Sequence, residues 1–223
     1  MMLEITYEAF ENAGLPLEAI AGSDTSCYIG NFTADYREMI FRDIDTAMRH
    51  SLSGTGTEII SNRISWFYDL RGPSCTVGTA CSSSLVALYQ GCQSIRTGES
   101  TIDIVGACNL LLNPEMFQVL SNQEFLAYDG CCKSFDAKGN GYGRGEGFTD
   151  VILKQVDDAI RDGDSIRAVI RGTGVNQDGK TKRMTLPSAD AQAALIRSVY
   201  QKAGLDYFNI IYFEAYASSN RFH

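Results

Sequence analysis

The chain has 223 residues, 44% hydrophobic and 21% charged, enough to bury one sizeable core in one domain or two small ones. Its 19 basic and 27 acidic residues give a net charge of −8 with no basic stripe, which excludes nucleic acid as the expected partner. No run approaches the roughly 18 uninterrupted apolar residues of a membrane span, and the opening MMLEITYEAFENAG is acidic and lacks a basic leader, so neither a membrane helix nor secretion is expected.

In chain order, Leu3, Ile5, Tyr7 and Phe10 share one side of a helix that Gly14 and Pro16 stop. SCYIGN (26–31) reads as a short strand. A helix spans 58–68 behind the small, flexible SGTG run. Glycines ahead of a helix can cradle a phosphate, but no lysine follows at phosphate-loop spacing, so a capped structural helix is expected. SCTVGT (74–79) is strand-like. The helix over 82–95 carries Leu85, Val86, Leu88 and Tyr89 around so much of its girth that burial on more than one side is expected.

IDIVGACNLLL (102–112) has the pattern of a buried strand, and Pro114 opens another helix. The glycine-rich GNGYGRGEG (139–147) leads into the strand DVILKQ rather than a helix, so it is a tight loop and not a nucleotide site. Helix 156–162, strand 166–172, a polar loop over 176–185, helix 188–203 and strand 209–214 follow. Strands alternating with helices predict an α/β fold with a mostly parallel sheet under helices. No linker or repeat divides the chain, which is taken as one unit over 1–223.

Cys81 stands where the 74–79 strand meets the 82–95 helix. A cysteine at a helix start feels unpaired N–H groups and the positive end of the helix dipole, which favours the nucleophilic thiolate. The plainer alternative is a small buried core residue. The chain's seven cysteines are an odd number, without the paired spacing of zinc ligands. No metal site is expected, and a reducing, cytoplasmic compartment fits best. A hydrolase built on Ser82, Ser83 or Ser84 is disfavoured, because no G-x-S-x-G elbow surrounds them.

Four motifs, GTGTEIISNRISWFYDLRGPS (54–74), TACSSSLVAL (79–88), DGCCKSFDAKGNGYGRGEG (129–147) and IRGTGVNQDG (170–179), occur in an order that resembles the ketosynthase (beta-ketoacyl synthase) domain of polyketide synthases. LEITYEAFENAGL (3–15) resembles a helix of the same family, and 54–98 is most similar to reducing, fungal-type synthases. The chain departs from the pattern in several places. Family members carry a histidine in EAHGTGT, where residues 214–220 here read EAYASSN and Tyr216 takes the histidine's position. The family's later lysine and second histidine have no counterpart, and His223 sits in no family motif. Cys131 replaces the usual arginine, and Gly78 a more frequent acidic residue.

The resemblance implies an incomplete thiolase-like layered α/β fold, roughly the first half of a ketosynthase clipped at both ends, with the cysteine helix sandwiched between two related halves. It implies that Cys81 accepts an acyl chain from phosphopantetheine on an acyl carrier protein, the phosphopantetheine arriving as cargo with no cofactor resident. Acyl and malonyl thioesters are then the substrates, and the two histidines, here absent, would stabilise the enolate formed by decarboxylation. A homodimer is implied, with the 102–107 strand expected near its two-fold axis. Condensation by this chain alone is expected to be impaired. The alternative is a non-catalytic remnant that acts only through protein binding.

Overall fold

A computed structural model describes residues 1–43, 45 and 48–216. Helix α1 (Met2–Ala13) ends at Gly14, whose φ of 72° supplies the left-handed cap; its N–H meets the carbonyl of Glu11. The short α2 (Leu17–Ile20) leads into β1 (Ser26–Asn31). Helices α3 (Asp35–Ile40), α4 (Ser51–Thr55) and α5 (Ile59–Phe67) follow, then β2 (Ser74–Val77), α6 (Ser83–Thr97), β3 (Ile102–Asn109) and α7 (Glu115–Asn122). Strand β4 (Gly147–Lys154), α8 (Val156–Asp162) and α9 (Ala189–Ala203) complete the regular elements.

The sheet order is β2-β1-β3-β4, with β1 parallel to β2 and β3, and β4 antiparallel to β3. Alternate side chains of a strand face opposite ways. Cys27, Ile29 and Ile104 accordingly join Phe10 of α1 and Ile64 of α5 on one face, while Tyr28 and Val105 join Ala87 of α6 on the other. The result is three layers, helix over sheet over helix, as the predicted α/β class requires. The phenol of Tyr68 ties α1 down by donating to the Leu3 carbonyl at 2.8 Å.

Helix α6 is the middle of this arrangement. Its buried residues are mostly small: Ser83, Ala87, Gly91, Cys92 and Ser94. Small side chains let the helix lie close to β1 and β3. Leu85 is 66% exposed, so one apolar side of the helix is uncovered in this chain. The accessible surface of 14,821 Å² exceeds the roughly 10,000 Å² of a compact monomer of this mass. Among the described residues every buried one lies at or before Ala159, and α9 buries none, although Ser188 caps it by accepting from the Ala191 N–H at 3.2 Å.

Two expectations need correction. Residues 166–172 and 209–214 join no sheet among the described residues. A strand exists only where a neighbour supplies ladder hydrogen bonds. Residues 166–170 and β4 instead border a shared cavity of about 510 Å³. Strand β3, which holds the 102–107 segment, is hydrogen-bonded on both sides, to β1 and β4, and the open edge on the Cys81 side is β2. No helix is long and apolar enough to cross a membrane, and no cluster of metal-ligand side chains occurs, among the described residues.

Candidate active site

Beyond β2 the chain passes Gly78 and Thr79, turns through a single 3-10 turn at Ala80–Ser82 and enters α6. Ala80 has φ of 54°, a left-handed conformation that non-glycine residues adopt only when their surroundings hold them there. The hold is supplied by Ser83. Its buried Oγ accepts the Thr79 N–H at 2.8 Å and lies 2.7 Å from the Ala80 carbonyl and 3.1 Å from that of Asn31, either of which takes its proton. Ser82 Oγ adds a bond to the Thr79 carbonyl at 2.9 Å.

Strand β1 runs against this turn, because Gly30 carries no side chain: a Cβ there would stand 2.6 Å from the Ser84 nitrogen. Gly78, by contrast, has an ordinary φ and open space around its missing Cβ, so the turn does not depend on glycine at that position.

The sharp turn leaves Cys81 exposed at the head of a 15-residue helix, which removes the alternative of a buried core cysteine. It lines a cavity of about 500 Å³ with Asn31, Cys132, Tyr142, Arg144 and Tyr216. The 139–147 segment is the tight loop expected, and it forms one wall. Tyr142 N–H donates to the Phe125 carbonyl at 3.0 Å, the Ala127 N–H donates to the Tyr142 carbonyl at 3.0 Å, and the Gly143 N–H meets Cys132 Sγ at 3.3 Å.

Tyr216 reaches the cavity from the other end of the sequence, so the residue standing at the family's histidine position meets Cys81 in space. Its phenol is held protonated well above the ordinary range by burial, and then by its hydrogen bond and charge interaction with Cys81. The residue as a whole is 73% exposed; the hydroxyl end is the part that meets the thiol. Tyr142 is raised by burial and by Cys81, with the Arg144 guanidinium pulling the other way. Residues 217–220 and His223 lie outside the described residues.

The other cysteines differ in setting. Cys27 and Cys92 are buried, and burial pushes both thiols up; burial takes Cys108 to about 11. Cys75, Cys131 and Cys132 are exposed, but none opens a helix. The site thus combines an accessible thiol, the first N–H groups of a helix, which lack intrahelical acceptors, and a phenol at the thiol. That set is suited to attack on a thioester carbonyl and to holding the oxygen that becomes charged. Arg144 and Tyr142 were not singled out from sequence. The signal was a charged and an aromatic residue inside a glycine-rich loop.

The sequence profile for the beta-ketoacyl synthase N-terminal domain matches residues 1–159, and that for the C-terminal domain matches 167–222. The chain is 60% identical over 221 residues to a highly reducing polyketide synthase of Didymella fabae, covering 99% of this chain and 12% of that protein. It is 56% identical over 221 residues to a partially reducing polyketide synthase of Menisporopsis theobromae, covering 99% of this chain and 8% of the relative. Among solved structures, the oxazolomycin ketosynthase domain of Streptomyces albus aligns with a TM-score of 0.89 at 33% identity, over 99% of this chain and 38% of that one. The ketosynthase from module 6 of the bacillaene synthase of Bacillus subtilis aligns at 0.83 and 36% identity, over 92% of this chain and 35% of that one. The thiolase-like class expected from the motifs is therefore the fold observed, and the chain belongs to the beta-ketoacyl synthase family as a ketosynthase fragment of the polyketide synthase kind.

Proposed function

We propose that this chain is an acyl-accepting ketosynthase segment in which Cys81 is the nucleophile. The observation that carries the reading is the exposed Cys81 thiol, set by the Ala80 turn at the start of α6 and facing the Tyr216 hydroxyl. The thiolate attacks the carbonyl of an acyl thioester on carrier-borne phosphopantetheine. The new C–S bond forms as the old one breaks, and the departing phosphopantetheine thiolate takes up the proton that Cys81 gave up. N–H groups at the helix start stabilise the intermediate oxyanion.

Acyl and malonyl thioesters are the substrate class, an acyl carrier protein the partner and the cytoplasm the location. No resident cofactor is required for the transfer. A homodimer is proposed in which the open edge of β2, rather than β3, lies free to meet a second copy. Condensation is a separate step. Tyr216 supplies one hydroxyl where the family has an imidazole, so acylation and condensation come apart in this chain, and the second reading, a binding remnant that does not turn over, applies to condensation alone.

Mixing the chain with carrier protein bearing a radiolabelled acyl group tests the reading. The label is expected to move onto the chain and not onto a Cys81→Ala variant. Retention of all label on the carrier, with both proteins folded, would overturn it.

A further inference from the structure

Tyr142 enters the Cys81 cavity from a stretch of loop with little freedom to move. Glycines flank it because the backbone on both sides is pressed against 125–130: a Cβ on Gly141 would stand 2.5 Å from the Ala127 nitrogen, and one on Gly143 would run into the Gly130 carbonyl. The Tyr142 N–H and carbonyl are both bonded to that same stretch, so the ring leaves from a fixed point. Its hydroxyl is held by Arg144, whose guanidinium carbon lies 5.4 Å from the Phe32 ring centroid and 5.7 Å from that of Phe117. A guanidinium has only donors, so the phenolic oxygen accepts in that bond and keeps its own proton to give. Among the described residues none takes that proton, and the half-buried phenol lies close enough to Cys81 to feel its charge.

We infer that the Tyr142 hydroxyl is a second oxyanion donor for acyl transfer, working with the first N–H groups of α6 on the carbonyl oxygen of the thioester at Cys81. The inference rests on the acyl-accepting role of Cys81. When the thiolate adds to the carbonyl carbon, the C=O electron pair moves onto oxygen and the tetrahedral adduct carries the charge there. The pair returns as the old C–S bond breaks, so the donor keeps its proton throughout. A bond accepted from a cation withdraws charge from the phenolic oxygen and makes its O–H the stronger donor. Tyr216 has a different place: it is bonded to the Cys81 sulfur itself and acts on the nucleophile, which leaves Tyr142 to meet the atom that changes charge. Arg144 is then a positioning residue, acting through the hydroxyl it holds.

The test gives the full 223-residue chain two reagents for the same thiol, the N-acetylcysteamine thioester of hexanoic acid and iodoacetamide, and follows modification of Cys81 by intact mass and peptide mapping. Attack on the thioester builds an oxyanion; displacement of iodide builds none. Tyr142→Phe is expected to lower the ratio of acylation rate to alkylation rate about 10²-fold, the loss that follows removal of one oxyanion donor. Arg144→Met should lower the same ratio about tenfold, and it decides the matter if Tyr142→Phe does not fold. Tyr216→Phe should move both rates together. An unchanged ratio in folded Tyr142→Phe, whether both rates hold or both fall, would overturn the inference while leaving Cys81 as nucleophile, as would an unchanged ratio in Arg144→Met where that variant stands alone. A selective loss of acylation in Tyr216→Phe but not in Tyr142→Phe would overturn it too. A wild-type chain that iodoacetamide alkylates at Cys81 but the thioester never acylates would instead strike the acyl-accepting role itself.

Discussion

The hydroxyl of Ser83 and the backbone N–H of Thr79, 2.8 Å apart, close the turn that carries Cys81. The same oxygen is the brace for Ala80 in its left-handed conformation. Ser83→Ala removes the acceptor of the Thr79 N–H and should cost about 0.5–1.5 kcal/mol. Acylation should fall by more than the folded fraction does, because the thiol's placement is lost with the turn. Urea melts and loading rates measured on the same preparation check this, and unchanged values for both would refute the brace.

The two glycines flanking the turn should respond in opposite ways. Gly78→Asp restores the family's more frequent residue into open space and should shift stability by less than about 0.5 kcal/mol. Gly30→Ala forces a Cβ to within 2.6 Å of the Ser84 nitrogen, where backbone must move, and should cost about 1–3 kcal/mol together with loading activity. Thermal melts of the two variants, side by side, show whether the order holds.

Two carboxyls, the buried Asp103 and the half-buried Asp150, set a pH dependence. Burial raises Asp150 to about 7 against an opposing bond from the Thr6 hydroxyl, and raises Asp103 to about 6 against one from Ser100. In an unfolded chain both would lose their protons near 3.8. Between pH 4 and 7 the folded state therefore binds more protons than the unfolded state, and stability should fall as pH rises through that window. Asp150→Asn should flatten the fall and stabilise the chain at pH 8, by on the order of 2 kcal/mol. A melting temperature that rises steadily from pH 5 to 8 would contradict the assignment.

Tyr216→His should not restore condensation. The change supplies one imidazole near Cys81, but the 223-residue chain contains no other histidine than His50 and His223, and residues 217–220 lack the family's glycine and threonine pattern. Groups that act as a unit are not rescued singly. Carbon dioxide release and a β-ketoacyl product, followed after loading the chain and adding malonyl carrier protein, should stay near background for both proteins. Product at a ketosynthase's rate from either would show that fewer groups suffice.

Much of this was legible in the amino-acid order. SCYIGN became β1 over the same residues, and the helix expected over 82–95 is α6, because period-2 and helical spacings encode which side is buried. Cys81 was legible as a junction of the two. The strands expected over 166–172 and 209–214 were not borne out, since their apolar content records a wish for partners and not whether partners are present. Arg144 was not legible either: nothing in its neighbours announces that Phe32 and Phe117, distant in sequence, would flank its side chain. The contact of Tyr216 with Cys81 needed the fold, as 135 positions separate the two residues.

The central claim is that one thiol of seven accepts acyl groups. Intact mass and peptide mapping after brief exposure of the native chain to an acyl thioester test it most directly. The account predicts a single acyl adduct on the peptide that contains Cys81, absent from Cys81→Ala, while the exposed Cys75, Cys131 and Cys132 stay largely free. Adducts spread over those three, or gathered on one of them while Cys81 remains unmodified, would contradict it.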